Sequence, residues 1–413
     1  MSMSNDLEQQ DDPVAEGDSR LLIGARLFAL VLGTFTVGLA EYVLIGQLDF
    51  VAAGLGTSES VAGQLVTAFA IAYAVCTPLM VALLARVARR KVLVSNFAIF
   101  AALSAVSYLL PEFWGFAAAR VVMAVSAGII VVTSIGSVSR ILPPNALGRG
   151  IATVQTGFTA SLVLGVPLGR VLAEALGWRS VFLAMAVLAI VSAVLVRLLL
   201  PSMPGRPGVK LGRQLSLLGD RRVLHGLAIT VLWLGGYSLV YTYLAPYMLQ
   251  IAGISGGLVT LVLFLFGLAS LFGTQIGGAY TDRQGFYRSL LHGKALHIVF
   301  LAVLPFAAMV SSAAAILVLI VWSFSAWFSA SAQQVRIAAI DQQESDMLIG
   351  LNQSAMQVAI AIGAAAGGML IPVFGLAPLP WIGAALVLAS LALLLASNRG
   401  ARHVPELTAE RGL

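Results

Sequence analysis

The chain is dominated by long apolar runs that alternate with short polar connections. Twelve of these runs are of the order of 20 residues, the length that a helix needs to cross a bilayer. They lie near residues 24–48, 61–84, 92–110, 114–139, 150–173, 180–199, 223–251, 257–280, 289–309, 313–336, 347–373 and 378–397. Because lipid offers no hydrogen-bonding partner to the backbone, each run is predicted to be a helix. The pattern therefore predicts an all-α, polytopic membrane protein with twelve transmembrane helices.

The longest polar interruption divides these runs into six and six. It is predicted to be a cytoplasmic linker over residues 200–222, which contains three prolines. The two pseudo-symmetric six-helix bundles are predicted over 21–199 and 223–397, with a disordered acidic tail over 1–20 and a cytoplasmic tail over 398–413. Such an arrangement is typical of transporters built from two parallel repeats, whose substrate site lies near the membrane midplane between the halves.

Composition and charge agree with a membrane protein. The 413 residues are 59% hydrophobic and only 10% charged, which excludes an ordinary soluble domain. Basic residues gather at alternate helix connections, as in Arg86 to Lys91 between helices 2 and 3 and in Arg283, Arg288 and Lys294 between helices 8 and 9, so both termini are expected in the cytoplasm. The net charge of +6 follows from this topology and requires no nucleic acid. Residues 1–20 contain six acids and no basic n-region, so the first helix is expected to act as the signal anchor.

Glu41 is a carboxylate placed well inside the first apolar run. Charge at a helix centre costs roughly 2.5–3.5 kcal/mol on insertion, and such residues usually face a bundle interior or a water-filled cavity. At ~1.5 Å per residue it lies about 22 Å along the helix from Arg26, beyond the midplane and toward the outer half. Glu41 is therefore the first candidate for a proton-coupling site. The alternative is a neutral glutamate that holds helix 1 to a neighbour by hydrogen bonds.

Two further charged residues stand in or beside the apolar runs. Asp49 lies two turns beyond Glu41 and is either a second acid on the pathway or a solvated helix end. Arg120 falls inside the fourth run and needs a counter-charge, which Glu41 supplies if helices 1 and 4 meet; otherwise Arg120 snorkels to the interface. Arg170 and Glu174 are one helical turn apart and are expected to pair with each other for structural reasons.

Aromatic and amide side chains inside the predicted bundle are candidates for substrate binding. The aromatic candidates could line a cavity for a planar or amphipathic solute, and the amides add hydrogen bonding without charge; interfacial anchoring and interhelical hydrogen bonds are the alternatives. The candidates are Trp233, Tyr241, Tyr243, Gln155, Gln275, Asn352 and Gln357.

The loop after helix 8 carries a recognisable pattern, GGAYTDRQG, with Gly278, Asp282, Arg283 and Gly285. At this point the chain resembles the major facilitator superfamily, whose signature in this loop runs G-x-x-x-D-R-x-G. The resemblance implies a gating role, in which glycine permits close helix approach and the charged pair latches neighbouring helix ends. A solvated helix end is the alternative. The corresponding segment of the first half, from Val81 to Leu93, keeps the basic residues but lacks the glycines and the aspartate.

Helix 5 resembles proton-coupled exporters within that superfamily through its segment GVPLG, with Gly165, Pro167 and Gly169. Proline kinks a helix and small residues let backbones approach, which suits a gating element. The alternative is that glycine and proline are common in membrane helices in general. Further segments, among them AEYVLIG in helix 1 and YTYLAPYM in helix 7, resemble the arabinose, purine-nucleoside and chloramphenicol efflux-like permeases of the drug:proton antiporter class. Arg120 matches the arginine that the family has in helix 4, so the resemblance implies a part in proton coupling for it. The chain departs from that branch at Asp49, Gln357 and Ala359, so the resemblance does not decide the substrate.

The sequence thus predicts a secondary transporter that exports a small neutral or amphipathic solute, such as a sugar, nucleoside or drug, by proton antiport. Its expected place is a bacterial cytoplasmic membrane, as a monomer. The chain has no nucleotide-binding loop, metal-spaced cluster or nucleophile elbow, so neither an enzyme nor a cofactor is expected. A proton-coupled importer or facilitator of the same fold, or a non-transporting membrane sensor, are the alternatives.

Overall fold

The computed structural model describes residues 20–142, 147–205, 212, 216–341 and 344–400. Within these residues the regular structure is helical, without strands, and twelve segments are long and apolar enough to cross a membrane. The all-α membrane fold class is confirmed. Residues 1–19 of the predicted acidic tail, residues 401–413 of the C-terminal tail and most of the middle of the predicted linker lie outside the described residues.

The first six membrane-spanning segments agree with the apolar runs to within a few residues. They comprise α1 (Arg20–Gly46), α2 (Leu48–Gly54), α3 (Glu59–Leu84), α4 (Arg89–Leu109), α5 (Phe113–Ser137), a 3₁₀ turn (Val138–Arg140), α6 (Leu147–Ala160), a π-helical turn (Ser161–Gly165), α7 (Val166–Leu176) and α8 (Ser180–Leu199).

The other six segments begin after Asp220, whose carboxylate accepts a hydrogen bond from the Arg222 backbone N–H at 2.8 Å. The hydrogen bond from the Arg222 side chain lowers the pKa of this exposed carboxyl. The helices are α9 (Arg221–Tyr241), α10 (Leu244–Gln250), α11 (Gly256–Gln284), α12 (Phe286–Val310), α13 (Ser312–Phe328), α14 (Ala330–Ala338), α15 (Ser345–Phe374) and α16 (Leu379–Gly400).

The first helix of each predicted half is interrupted at a corresponding place. The sequence predicts unbroken runs over 24–48 and 223–251, but the backbone leaves helical geometry at Gln47 (φ −132°, ψ 25°) and at Tyr243 (φ −107°, ψ 22°). A helix of seven residues follows each break. The length of an apolar run does not reveal such breaks, because each predicted run continues through the residue at which the helix is interrupted.

Pro167 stands just after the π-helical turn, within the segment that the sequence predicts to be kinked. Proline has no N–H to donate to the carbonyl four residues earlier, which here belongs to Val163 in that turn. A π-helical turn changes the hydrogen-bonding register locally, and such turns are frequent at functional sites. The irregularity of helix 5 is therefore placed at the residues that the sequence selects for gating.

The described residues pack as two compact units. The first contains parts of Met1–Tyr42, Cys76–Gly165 and Arg179–Val209, in which α4 packs against α5 and α8. The second contains Val43–Val75 and Val166–Trp178 together with parts of Lys210–Leu413, in which α9 packs against α15 and α16. The units follow spatial packing, whereas the predicted halves follow chain order. The division of the chain at residues 200–222 stays a prediction.

Close backbone approach within each unit requires glycine at specific positions. In the first unit a Cβ on Gly157 would stand 2.2 Å from the carbonyl oxygen of Val31. The first and fifth membrane-spanning segments, here α1 and α6, therefore touch through this glycine. In the second unit a Cβ on Gly277 would stand 2.0 Å from the carbonyl oxygen of Phe328. Both distances are far below van der Waals contact, so no larger residue fits without a backbone shift.

Candidate functional site

Glu41 and Arg120 lie together in the interior of the first unit. Glu41 is 4% exposed and Arg120 is fully buried. The guanidinium of Arg120 donates a hydrogen bond to the Ala40 carbonyl, next to Glu41 in sequence, and its charge interacts with that of Glu41. The first and fourth membrane-spanning helices, α1 and α5, therefore meet. This is the condition under which the sequence analysis expects Glu41 to be the counter-charge of Arg120. The role of both residues in proton coupling stays a prediction.

Asp49 lies in α2 and pairs with Arg170, a partner that the sequence does not suggest. The buried guanidinium of Arg170 meets both carboxylate oxygens of Asp49, at 3.0 and 3.2 Å, and donates to the Gly46 carbonyl at 2.8 Å. The expected pair of Arg170 with Glu174 is also present, at 3.1 Å. One arginine thus joins the end of α1, the start of α2 and α7, and it satisfies a helix-terminal carbonyl at the break.

The predicted gating residues of helix 5 are buried, and those of the loop after helix 8 are mostly exposed. Gly165, Pro167 and Gly169 are buried, and a Cβ on Gly165 would meet the Leu39 side chain at 2.2 Å. In the loop pattern, by contrast, Asp282 and Arg283 are exposed.

Glycine positions around this loop differ from those that the sequence selects. Gly285 has φ +82°, a left-handed conformation that favours glycine, so its place in the pattern has a backbone reason. Gly278, chosen for close helix approach, has only ordinary contacts with Ser331. The close approach falls instead on Gly273 and Gly277, against α13. The gating role of the loop stays a prediction.

The basic residues of the corresponding segment in the first half bind helix ends. Arg89 donates to the carbonyl of Gly136 at the end of α5, and Arg90 donates to the carbonyl of Leu200, after α8, at 3.1 Å. These carbonyls are left without intrahelical partners at helix C-termini, and cations there are favourable. The segment therefore still links helix ends although it lacks the aspartate.

Five of the seven candidate substrate-binding residues are buried in the second unit. Trp233, Tyr241, Tyr243, Asn352 and Gln357 are at most 7% exposed. By contrast, Gln155 and Gln275 have exposed side chains.

Several of the buried polar groups are already hydrogen-bonded within the second unit. The Tyr243 hydroxyl donates to the Ala364 carbonyl at 2.8 Å, and Asn352 accepts from Thr230 at 2.7 Å. Gln333, which the sequence analysis does not select, extends this network by donating to Thr230 at 2.8 Å. These bonds match the interhelical alternative, so Tyr243 and Asn352 have structural partners in this conformation.

An aromatic cluster in the second unit is richer than the sequence suggests. Tyr237 stacks on Tyr241 with ring centroids 5.0 Å apart, and Tyr241 stacks on Phe266 at 5.5 Å. Trp322 lies 5.4 Å from Tyr237, and Trp327 donates to the Tyr237 hydroxyl at 3.2 Å. The position of Tyr237 one turn before Tyr241 is the signal that could have identified it.

Lys294 and His297 require a correction to the sequence analysis. The positive-inside count there treats basic residues between helices 8 and 9 as connection residues, yet Lys294 lies eight positions after the start of α12 and is fully buried. His297, one turn further, is also fully buried. The apolar run itself, over 289–309, already encloses both residues, so their position within it was the available signal.

One group of contacts in the second unit joins α3 to helices of the predicted C-terminal half. Ser60 donates to the Gly368 carbonyl, and Gln250 donates to Glu59 at 2.8 Å. A Cβ on Gly63 would stand 2.2 Å from the Tyr243 hydroxyl oxygen. Helix α3 thus touches α10 and α15 at its N-terminal end.

Among the described residues no group of His, Cys, Asp and Glu could hold a metal ion.

Comparison with known proteins identifies the class. The profile of the Major Facilitator Superfamily matches residues 30–342. The chain is 43% identical over 374 residues to the uncharacterized MFS-type transporter YbcL of Bacillus subtilis (strain 168), covering 90% of this chain and 96% of that protein. The chain belongs to the Major Facilitator Superfamily, and it is a transporter rather than an enzyme.

Other relatives and a solved structure agree with this assignment. The inner membrane transport protein YdhP of Escherichia coli (strain K12) is 32% identical, with 92% of this chain and 97% of that protein covered. A protein named "Probable sugar efflux transporter" from Helicobacter pylori (strain G27) is 26% identical, with 89% and 93% covered. The crystal structure of a D-xylose-proton symporter superposes with a TM-score of 0.73 at 18% identity, covering 90% of this chain and 97% of that one, which shows the fold alone.

Proposed function

We propose that this transporter is a secondary active exporter, which exchanges a small neutral or amphipathic solute, such as a sugar, nucleoside or drug, for protons by alternating access. The observation that carries the proposal is the carboxylate of Glu41, buried inside a membrane span with Arg120 as its charge partner. Ionisable residues at such depth are rare and mark ion or substrate pathways. The efflux relative in Helicobacter pylori and the Gly/Pro-rich segment of helix 5 support export.

A proton on Glu41 changes the charge balance of the pair. When Glu41 is ionised, it and Arg120 compensate each other; when Glu41 is protonated, Arg120 keeps its bond to the Ala40 carbonyl but loses its counter-charge. The two protonation states therefore stabilise the surroundings of helices 1 and 4 differently. A ligand or proton that interacts differently with two conformations shifts the population between them, which is what exchange requires.

The contacts of α3 with α10 and α15 supply a candidate for one gate. We place the transporter in a bacterial cytoplasmic membrane, with both termini in the cytoplasm; the inner-membrane relative from Escherichia coli supports the choice of membrane. In this topology the contacts of α3 lie at the outer face of the membrane. Alternating access then requires the contacts to break when the site opens outward. The transporter is proposed to work as a monomer.

Proton movement driven by a solute gradient tests the proposal. Purified protein is reconstituted in vesicles with a pH-sensitive dye inside, loaded with a pentose, a purine nucleoside or chloramphenicol, and diluted into solute-free buffer with the membrane potential clamped. Antiport moves protons inward as solute leaves, so the lumen acidifies whichever way the protein is inserted. Glu41→Gln should abolish the acidification.

Glu112→Gln is the matched control, since it makes the same change at an exposed position between α4 and α5. We expect it to behave like the unmodified protein. Alkalinisation of the lumen would instead indicate symport and favour an importer. Solute efflux without any pH change would indicate an uncoupled facilitator, and normal coupling in Glu41→Gln would remove Glu41 from the mechanism.

A further inference from the structure

A pair of basic residues lies unpartnered inside the membrane-spanning part of the second unit. Lys294 and His297 stand one helical turn apart on α12, and both are fully buried. The ammonium nitrogen of Lys294 and both ring nitrogens of His297 lack a hydrogen-bond partner. None of the proposed proton-coupling residues belongs to this pair, and nothing in the transport scheme above uses it.

Aromatic rings surround this pair. The Lys294 Nζ stands 4.9 Å from the ring centroid of Trp233, and the His297 ring lies 6.2 Å from Trp322 and 6.3 Å from Tyr237. The indole nitrogens of Trp233 and Trp322 are buried and also have no hydrogen-bond partner. An indole N–H is a donor only, so two further donors in the neighbourhood are unsatisfied.

The ionisable neighbours of the pair are themselves basic groups. Among the described residues the charge that acts on Lys294 is that of Arg336, and the charge that acts on His297 is that of Lys294. Arg336 has a buried guanidinium nitrogen without an acceptor as well. No carboxylate of the described residues forms an ion pair with any of these three side chains. The cluster thus gathers hydrogen-bond donors and basic groups, and no acid takes the place that Glu41 and Asp49 have beside Arg120 and Arg170.

Burying these donors and basic groups without acceptors costs free energy, unless a bound group supplies the missing acceptors. Buried donors normally have acceptors, and intramembrane cations normally pair with acids or carbonyls. A ligand that compensated this cluster would carry an anionic acceptor group for Lys294 and Arg336 and an apolar or aromatic body for the tryptophan and tyrosine rings.

We infer that Lys294, His297 and Arg336, with Trp233, Tyr237 and Trp322, form a binding site for the carboxylate end of an aromatic or other amphipathic organic acid. A planar carboxylate accepts from several donors at once, and the surrounding rings stack on its body. The inference rests on the proposed function in one respect: all of the donors are buried here, so a ligand reaches them through the opening that alternating access provides. It narrows the amphipathic solutes of that proposal to those with an acidic group.

Calorimetric titration of the purified full-length protein in detergent tests the inference. The probes are benzoate, cinnamate, 1-naphthoate and 4-phenylbutyrate, each compared with its uncharged primary amide, and inorganic phosphate. At least one carboxylate should bind more tightly than its amide. Lys294→Met should weaken that binding at least about tenfold, since it removes a charge-assisted hydrogen bond. Arg288→Gln, which removes a cation from an exposed position of the same helix, should leave it unchanged.

A second measurement needs no ligand. Because Lys294→Met replaces a buried amino group that lacks a hydrogen-bond partner by an apolar chain of similar length, the unliganded variant should melt at a higher temperature than the unmodified protein. His297→Gln serves as the second binding variant and should also weaken carboxylate binding. The inference is overturned if no carboxylate binds, if amides or phosphate bind as well as the carboxylates, if Lys294→Met binds normally, or if it melts lower.

The two proposals fail separately. Glu41→Gln lies in the other unit and should bind the carboxylate as the unmodified protein does, while losing proton exchange. Exchange of neutral solutes for protons by a protein that binds no carboxylate would remove the carboxylate site and leave the exporter standing. Tight carboxylate binding without any coupled proton movement would do the reverse.

Discussion

At the scale of single residues, the buried ionisable groups of the described segments include two contrasting kinds. Arg120 and Arg170 each have a carboxylate and a backbone carbonyl as partners. Lys294 faces an aromatic ring and a second cation. A paired charge fixes the geometry of the helices that contribute to it, whereas an unpaired donor group is available to a ligand.

The Glu41–Arg120 pair is expected to stabilise the fold as a unit. Arg120→Gln should lower the free energy of unfolding by about 3–5 kcal/mol, because it leaves Glu41 buried without a counter-charge. The double variant Glu41→Gln/Arg120→Gln should be closer to the unmodified protein than Arg120→Gln is, as measured by thermal unfolding in detergent. Strictly additive losses in this double-mutant cycle would mean that the two side chains do not interact.

At the scale of helices, the contact between α1 and α6 depends on the absence of a side chain at Gly157. Gly157→Ala would place a methyl group 2.2 Å from the Val31 carbonyl oxygen, so the helices must separate at an estimated cost of about 1–3 kcal/mol. Gly24→Ala is the matched control, since a Cβ on Gly24 has no atom within 4 Å. Thermal unfolding should show a loss for Gly157→Ala only; equal melting temperatures would contradict the close contact.

Helix 5 combines this tight contact with an irregular backbone a few residues later. The π-helical turn Ser161–Gly165 ends the part of this segment that packs in the first unit, and Pro167 is the second residue of α7, which packs in the second. A segment that lacks regular hydrogen bonds bends at lower cost than a continuous helix. The sequence predicted a gating element here from Gly165, Pro167 and Gly169, and that role stays a prediction.

At the scale of the whole molecule, the proposed cycle requires the contacts of α3 with α10 and α15 to open. In a Cys76→Ala background, cysteines replacing Glu59 and Gln250 can be bridged by a short reducible bis-methanethiosulfonate reagent, because the native side chains are hydrogen-bonded at 2.8 Å. Bridging should stop solute exchange, and reduction should restore it. Each single cysteine variant is the control. Exchange at the normal rate in the bridged protein would show that this contact is not part of a gate.

The sequence by itself determined the fold class and the position of the helices. The length of an apolar run is a local property of the sequence, and it must match the thickness of the bilayer. Runs such as 180–199 therefore coincide with the helix Ser180–Leu199. A carboxylate inside such a run, as at Glu41, is visible for the same reason. The motifs of helix 5 and of the loop ending at Gly285 were sufficient to identify the superfamily, which the comparisons then confirmed.

Only the tertiary structure decided which of the polar residues meet. Asp49 and Arg170 are 121 residues apart, and the length of the apolar runs does not mark the helix breaks at Gln47 and Tyr243. The burial of Lys294 and His297 among aromatic rings depends on helices that are distant in the chain. Periodicity reports which face of a helix is apolar, but a partner is set by how separate helices cross, and that is determined by packing of the whole bundle.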